Sequence, residues 1–311
     1  MYTPHPTAML EETIAGLACM PGHVVVDCTL GGCGHARAVC ERIGPEGILI
    51  GIDRDAEAIE NARSALSCYQ DRMRLIHEDF SMLPSILQQM HIEGVNGIVM
   101  DLGMSRHHLE GSKRGFSFQK DEPLDMRMDV RQSVTAEKLL QTLNEDELTD
   151  VFHSFGEERF ARRIARAVVR FRQKHLLRTT GQLAALVCEA LPAKAKNQHI
   201  HPATRVFMAL RIAVNQELEK LDRFLQAVPD LLVSGGRLCI LSFHSLEDRI
   251  VKGYFRQWEG RCSCPPDLPK CICNRISPMR PVYRRALRPS ADEIAKNPLA
   301  RSTRLRIAEK R

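Results

Sequence analysis

Short apolar runs that end on a carboxylate recur through the first hundred residues. Val24-Val25-Val26-Asp27 reads as a buried strand, and Ile48-Leu49-Ile50-Gly51-Ile52-Asp53 and the stretches 73–77 and 97–101 read as further strands, the third ending on His77, two residues before Asp79. Between them, apolar positions at helical spacing predict helices over 36–43, 56–66 and 83–90. Strand–helix alternation implies right-handed crossovers and a parallel sheet. A ligand of such a sheet lies outside the carboxyl ends of its strands. Asp27, Asp53, the Asp79-Phe80 pair and Asp101 all fall at those ends. Any one of them alone could be an N-cap or a loop residue, but four acidic ends on one rim point to a site.

The alternation stops after Leu102. Residues 103–133 look irregular, and the chain beyond them reads as helical to about residue 228. Over 157–175, Phe160, Ile164, Val168 and Phe171 form an apolar stripe, with Glu157 and Glu158 at the expected N-terminus. Arg159, Arg163, Arg166 and Arg170 form a second ridge, either a solvated face or a track for a phosphate backbone. Pro202 opens a long helix that carries Leu210, Val214, Leu218, Leu221 and Leu225 on one face, and Pro229 closes it. The α/β pattern then returns, with a turn at Ser234-Gly235-Gly236 and a strand over 237–243. A capping box comes next at Ser245-Leu246-Glu247-Asp248, and a last strand lies at 302–308. The expected organisation is one α/β domain, 1–105 and 207–311, interrupted by a helical insertion at 106–206.

Composition narrows the setting. No apolar run approaches membrane-span length, and the first residues do not read as a signal peptide. Eleven cysteines spread over 311 residues do not suggest a disulfide scaffold, so a reducing cytoplasm is the simplest expectation. The formal charge is +6, yet residues 275–311 alone carry 11 Lys/Arg against 3 Asp/Glu, a local balance of +8. A basic segment of this kind favours a polyanionic partner such as a nucleic acid, or merely serves solubility.

The turn after the first strand, Gly31-Gly32-Cys33-Gly34-His35, selects among nucleoside cofactors. A dinucleotide fingerprint counted from Gly32 needs a third glycine at position 37, where Arg37 stands. Without it, an NAD-dependent oxidoreductase is disfavoured. A looser turn suits S-adenosylmethionine, which has no pyrophosphate, and Asp53 at the second strand end can accept two ribose hydroxyls.

Several longer segments are more specific. They are Gly51-Ile52-Asp53-Arg54-Asp55, Asp101-Leu102-Gly103, Arg114-Gly115-Phe116-Ser117-Phe118, Leu124-Asp125-Met126-Arg127-Met128-Asp129, Gly156-Glu157-Glu158-Arg159, His201-Pro202-Ala203-Thr204-Arg205, the run from Ser242 to Arg249, and Asn297-Pro298. In these the chain resembles the bacterial 16S ribosomal RNA (cytosine-N4)-methyltransferases, from near His5 to the C-terminus. The resemblance implies a class I (Rossmann-like) S-adenosylmethionine methyltransferase sheet with an inserted all-helical, substrate-recognition domain. It also implies methylation of a cytosine amine in the decoding region of the small ribosomal subunit. The family's cofactor positions carry onto Cys33, Gly34, His35, Asp53, Phe80, Asp101 and His108. Cys33 stands where the family usually has glycine and His108 where it usually has glutamine; Val206 and Met208 replace threonine and glutamine.

Methylating a cytosine amine requires an acceptor for the departing proton. Asp101 is the first candidate and His244 the second, with a loop histidine bracing the capping box as the plain alternative for His244. Arg114, Phe116, Arg127, Arg163 and Arg166 are candidates for RNA contact; Arg127 could equally clamp a carboxylate, and the phenylalanines could anchor a loop. Cys262, Cys264, Cys271 and Cys273 could close a structural zinc site or remain free thiols. The expected partner is 16S rRNA or the small subunit, with no membrane; oligomeric state is open, a homodimer included. An RNA-binding assembly factor that keeps this fold with weak or lost catalysis is the competing reading, raised by Cys33 and His108.

Overall fold

β-Branched and leucine-rich runs with buried backbones set up the sheet in a computed structural model that describes residues 6–192, 201–260 and 277–311. These form two compact units, residues 104–217 and residues 2–103 with 218–311.

The larger unit is the sheet. Its strands are β1 Val24–Asp27, β2 Ile48–Asp53, β3 Met73–His77, β4 Val95–Asp101, β5 Leu232–Ser242, β6 Met279–Pro281 and β7 Arg304–Lys310. Their order is β3-β2-β1-β4-β5-β7-β6. The pairs among β1 to β5 are parallel, while β7 runs antiparallel between β5 and β6. The first three parallel crossovers use α2 Gly34–Ile43, α3 Ala56–Ala65 and α4 Leu83–Gln89; α1 Leu10–Leu17 precedes β1. Apolar clusters cover both faces, one built on Val26, Ile50, Ile98 and Ile240, the other on Val25, Leu49, Val99 and Leu241. Adjacent residues of β1, β2 and β4 thus face opposite cores, which is why these strands read as continuous apolar runs. The strand order reverses between β1 and β4, and that switch point is where a doubly wound sheet binds its ligand.

Most predicted elements recur, with instructive differences. The expected turn at Ser234-Gly235-Gly236 is part of β5: Gly235 has φ +78°, and the pairing with β4 shifts register between Val95 and Gly97. A glycine-enabled bulge replaces the turn. The expected helix opened by Pro202 is two helices, α10 Thr204–Asn215 and α11 Glu217–Leu231, broken where Gln216 turns left-handed. Pro229 lies inside the last turn of α11 rather than closing it. After β5 comes α12 Ser245–Trp258, and α13 Ala291–Lys296 precedes β7.

The helical unit contains α5 Arg106–Glu110, α6 Ala136–Thr142, α7 Glu145–Gly156, α8 Ala161–Arg172, α9 Thr180–Ala190 and α10. A cut at residue 206 would pass through α10, whose Val206, Phe207 and Leu210 belong to this unit's core; the division observed falls after Glu217. The helix expected over 157–175 starts only at Ala161, because Glu157 (φ 48°) caps α7 in the left-handed region. The loop motifs hold one another. Arg114 is buried and donates to the carbonyls of Arg127 and Met128, each at 3.0 Å. Asn215 closes the same region by accepting from Met128 N (2.8 Å) and donating to the Met126 carbonyl (2.8 Å). Gly115, at φ +72°, has no room for a side chain because a Cβ would overlap the Pro123 carbonyl.

Candidate active site

The carboxyl ends of β1, β2 and β4 bring Asp27, Asp53 and Asp101 to one rim, tied together by the turn after β1. Thr29 N donates to Asp27 Oδ1 (3.1 Å), and the Thr29 hydroxyl accepts from Asp101 N (2.6 Å). Gly31 N donates to Asp53 Oδ2 (3.1 Å), and Asp55 N to Asp53 Oδ1 (2.9 Å). The turn then enters α2 through Cys33, whose backbone is left-handed at φ 65°. Glycine is the residue that adopts this conformation without cost. The Cys33 side chain is nevertheless accommodated: it is buried in the core, with Asn61 donating to its sulfur at 3.5 Å. Burial first, then the charges of Asp27 and Asp53, push the Cys33 thiol up to about 12, so it is not a nucleophile. At Gly34 a Cβ would overlap the Thr7 side chain.

His35 is buried on the first turn of α2, and its Nδ1 lies 3.8 Å from Asp101 Oδ2. The other carboxylate oxygen, Asp101 Oδ1, is buried without a hydrogen-bond partner among the described residues. Burial, and after it the charge of Glu247, push the Asp101 carboxyl up to about 7. Asp27 is raised well above the usual carboxylate range, by burial first and then by Asp101 and Asp53, against the opposing Thr29 N–H. The rim thus holds one acid poised near neutrality beside another whose burial disfavours its charged form.

The remaining candidates sit in varied surroundings. Phe80 comes after β3, buried with its ring edge-on to Phe224 at 5.6 Å. Beside it, burial raises the Asp79 carboxyl, but the charges of Arg54 and Lys220 outweigh this and hold it below its ordinary value. His244 is the N-cap of α12, one residue earlier than the cap expected at Ser245. Its Nδ1 accepts from Glu247 N (3.4 Å), while Glu247 Oε2 accepts from His244 N (3.3 Å) and Phe243 N (2.9 Å). His108, in the helical unit, belongs to the capping box of α5, its Nδ1 accepting from Ser105 N at 3.1 Å. Glutamine, the usual family residue there, is also a capping-box residue at this third helical position.

Of the RNA-contact candidates, Arg114 and Phe116 are buried, and the Arg114 guanidinium is spent on carbonyls. Both side chains are turned into the protein, where they knit the loop. Arg127 clamps a carboxylate: it pairs with Asp125 at 2.6 and 2.8 Å and donates to the carbonyls of Val130 and Gln132. Arg166 is exposed on α8 and paired with Glu145 at 3.2 Å. Arg163 is exposed with no ion-pair partner among the described residues. Cys262, Cys264, Cys271 and Cys273 lie outside the described residues. Glu247 is legible in the sequence only as a capping-box residue, and Thr29 does not stand out as a site residue. The only signal for Thr29 was a hydroxyl two residues past an acidic strand end.

A seven-stranded sheet in this order, with acidic strand ends around a glycine turn at its switch point, defines a Rossmann-like class I methyltransferase fold. The chain belongs to the MraW methylase family, which it matches over residues 2–311. Its relatives include the ribosomal RNA small subunit methyltransferase H of Desulfosudis oleivorans, 52% identical over 307 residues, covering 98% of each chain. The protein of the same name from Desulforapulum autotrophicum is 50% identical over 305 residues, again 98% of each. That of Syntrophobacter fumaroxidans is 48% identical over 306 residues, 98% of this chain and 96% of the relative. Among the described residues no helix is long and apolar enough to cross a membrane.

Proposed function

We propose that this protein transfers a methyl group from S-adenosylmethionine to the N4 amine of a cytosine in 16S rRNA, in the decoding region of the small subunit. The observation that carries the reading is the Asp101 carboxylate at the sheet's switch point, raised to about 7 and with one buried oxygen unsatisfied. Full-length relatives named for ribosomal RNA methylation support the substrate class.

The residues present fit the cofactor. The turn from Gly31 to Gly34 lets backbone approach a ligand closely, and Asp53, held by Gly31 N and Asp55 N, stands at the second strand end, where a carboxylate accepts ribose hydroxyls. The unsatisfied Asp101 oxygen marks where a donor belongs. When bound, the cofactor supplies a sulfonium-borne methyl group as electrophile. Asp101 would then orient the attacking amine through Oδ1 and take the proton that the amine loses as the nitrogen–carbon bond forms and the carbon–sulfur bond breaks, its electron pair going to sulfur. His35 holds Asp101 from the side of Oδ2, and Thr29 fixes its backbone. The helical unit is assigned substrate recognition, with the unpaired Arg163 as one phosphate contact.

The grounds for a catalytically silent assembly factor weaken in the structure. The Cys33 side chain packs in the core, and His108 makes capping contacts open to a glutamine. Deleting the gene should remove N4-methylcytidine from small-subunit rRNA by nucleoside mass spectrometry, and restoring it should bring the nucleoside back. An unchanged nucleoside profile sinks the proposal.

His244 is assigned the cap rather than the chemistry. His244→Ala is expected to cost about 1 kcal/mol of stability, the usual loss for a missing N-cap, while His244→Asn keeps most of it. Both should methylate within a few-fold of the wild-type rate. A hundredfold loss of kcat at an unchanged melting temperature would return His244 to the reaction.

A further inference from the structure

The β6 edge of the sheet carries a feature that the reaction does not use. β6 pairs with β7 through Pro281 opposite Ala308, and Val282 N then donates to the Ile307 carbonyl (2.9 Å). Contact resumes where Leu287 pairs with Leu305, through N–H···O bonds of 2.9 and 3.1 Å in the two directions. Between these points β7 covers two steps, from 307 to 305, and the edge segment covers five, from 282 to 287. The surplus is extruded as Tyr283-Arg284-Arg285-Ala286. Tyr283 is 51% exposed, and Arg284, Arg285 and the nearby Arg288 are exposed as well.

Charge pairing separates these arginines from their neighbours. Arg237 and Arg280 are both ion-paired with Glu309, and Arg304 and Arg306 with Asp248. Arg284, Arg285 and Arg288 make no ion pair or hydrogen bond among the described residues. A solubilising surface needs no aromatic ring at its centre, and a structural edge guard needs only the short strand with its proline. Unpaired guanidinium groups flanking an exposed tyrosine are what a single-stranded nucleic acid requires, cations for phosphate and a ring for a base.

The loop also stands on the catalytic rim. Leu287 lies beside Leu305, Leu305 beside Leu241, and Leu241 beside Asp101. At about 4.8 Å per strand, three steps put the base of the loop about 14 Å from Asp101, a few nucleotides away.

We propose that Tyr283, Arg284 and Arg285 form a docking point for single-stranded substrate RNA flanking the methylated nucleotide, with Tyr283 stacking on a base and the arginines holding phosphates. The inference rests on the RNA methyltransferase reading above and deepens it.

Its test uses the full-length protein, a 12-nucleotide fluorescein-labelled single-stranded RNA, and unmethylated small-subunit rRNA, both naked and in assembled subunits. Arg284→Ala with Arg285→Ala should lower the magnitude of the log Kd against log salt slope by about 1.4, two contacts at about 0.7 each for single strands. Tyr283→Ala should weaken binding about tenfold and leave that slope unchanged. The double arginine variant should raise KM for rRNA about tenfold, with kcat and cofactor affinity as in the wild type, and the double lysine variant should recover most of the loss. An unchanged slope and KM overturn the proposal. So does a defect confined to assembled subunits and absent with naked rRNA, which would make the loop a contact for ribosomal protein. If the wild-type protein binds the oligonucleotide but methylates no RNA, the catalytic reading fails while the slope still decides the docking surface.

Discussion

Asp101→Asn is expected to lower kcat for methyl transfer by about 10²–10⁴-fold, the range for removing a positioned proton acceptor. The amide keeps the shape of the carboxylate and so preserves the Thr29 contact, which uses the Asp101 backbone N–H rather than its side chain. What it loses is a site for the proton. The pH profile of the wild-type enzyme tests the same claim independently. The acceptor is the ionised carboxylate, and burial with the Glu247 charge places its titration at about 7. The rate should therefore fall as pH drops below about 7, approaching tenfold per unit, and level off above it. Stability moves the other way. A carboxyl raised from 3.8 to about 7 on folding binds its proton more tightly in the native state. That contribution is complete below the unfolded value and is lost as pH rises through about 7. Asp101→Asn, which cannot ionise, should accordingly melt no lower than the wild type at pH 8. A variant that keeps more than a tenth of wild-type kcat, or a wild-type profile flat from pH 5.5 to 8, removes Asp101 from the proton transfer.

The rim was legible in the sequence because every acidic strand end terminates an apolar run, and both features are local. The bond from Asp101 N to the Thr29 hydroxyl was not, since it joins residues 72 positions apart across two strands. Arginines beside phenylalanines in an irregular segment read naturally as RNA contacts. Arg114 instead satisfies two carbonyls 13 and 14 residues onward, a use that leaves no local pattern. Helix boundaries failed where non-glycine residues turn left-handed. Glu157 and Gln216 end α7 and α10 in that conformation, and neither residue type signals a stop. His244 is a further case: serine is the more favoured N-cap, so the sequence points to Ser245, one residue past the observed cap. The basic C-terminal segment was visible as charge, but which arginines are ion-paired depends on Asp248 and Glu309 meeting them in space.

Asp248 supports the largest stability prediction. It lies on the first turn of α12, buried, with Arg306 Nε at 2.9 Å from Oδ1 and Arg304 bonded to Oδ2. One carboxylate thus ties α12 to β7, the antiparallel strand that locks β5. Asp248→Ala leaves the Arg306 guanidinium, 13% exposed, without its counter-charge. Arg304 is 41% exposed and rehydrates, so it adds little. The expected loss is about 3 kcal/mol, the low end for removing one partner of a buried ion pair. Because the chain has two units, the measurement should follow the sheet unit itself, by hydrogen exchange of β5 and β7 amides or by its own denaturant transition. Acid provides the second test. Burial raises the Asp248 carboxyl, but the hydrogen bonds and charges of Arg306 and then Arg304 outweigh this and hold it below its ordinary 3.8. A depressed carboxyl stabilises above its unfolded value, and the contribution drains away as pH falls through the folded one. The gap between wild type and Asp248→Ala should be full at pH 6 and should narrow below about pH 3.8. Asp248→Ala combined with Arg306→Met should recover much of the loss, because the stranded cation is then gone as well. A gap under 1 kcal/mol at pH 6, or one that stays constant down to the acid transition, would show that β7 is held by its ladder and apolar face alone.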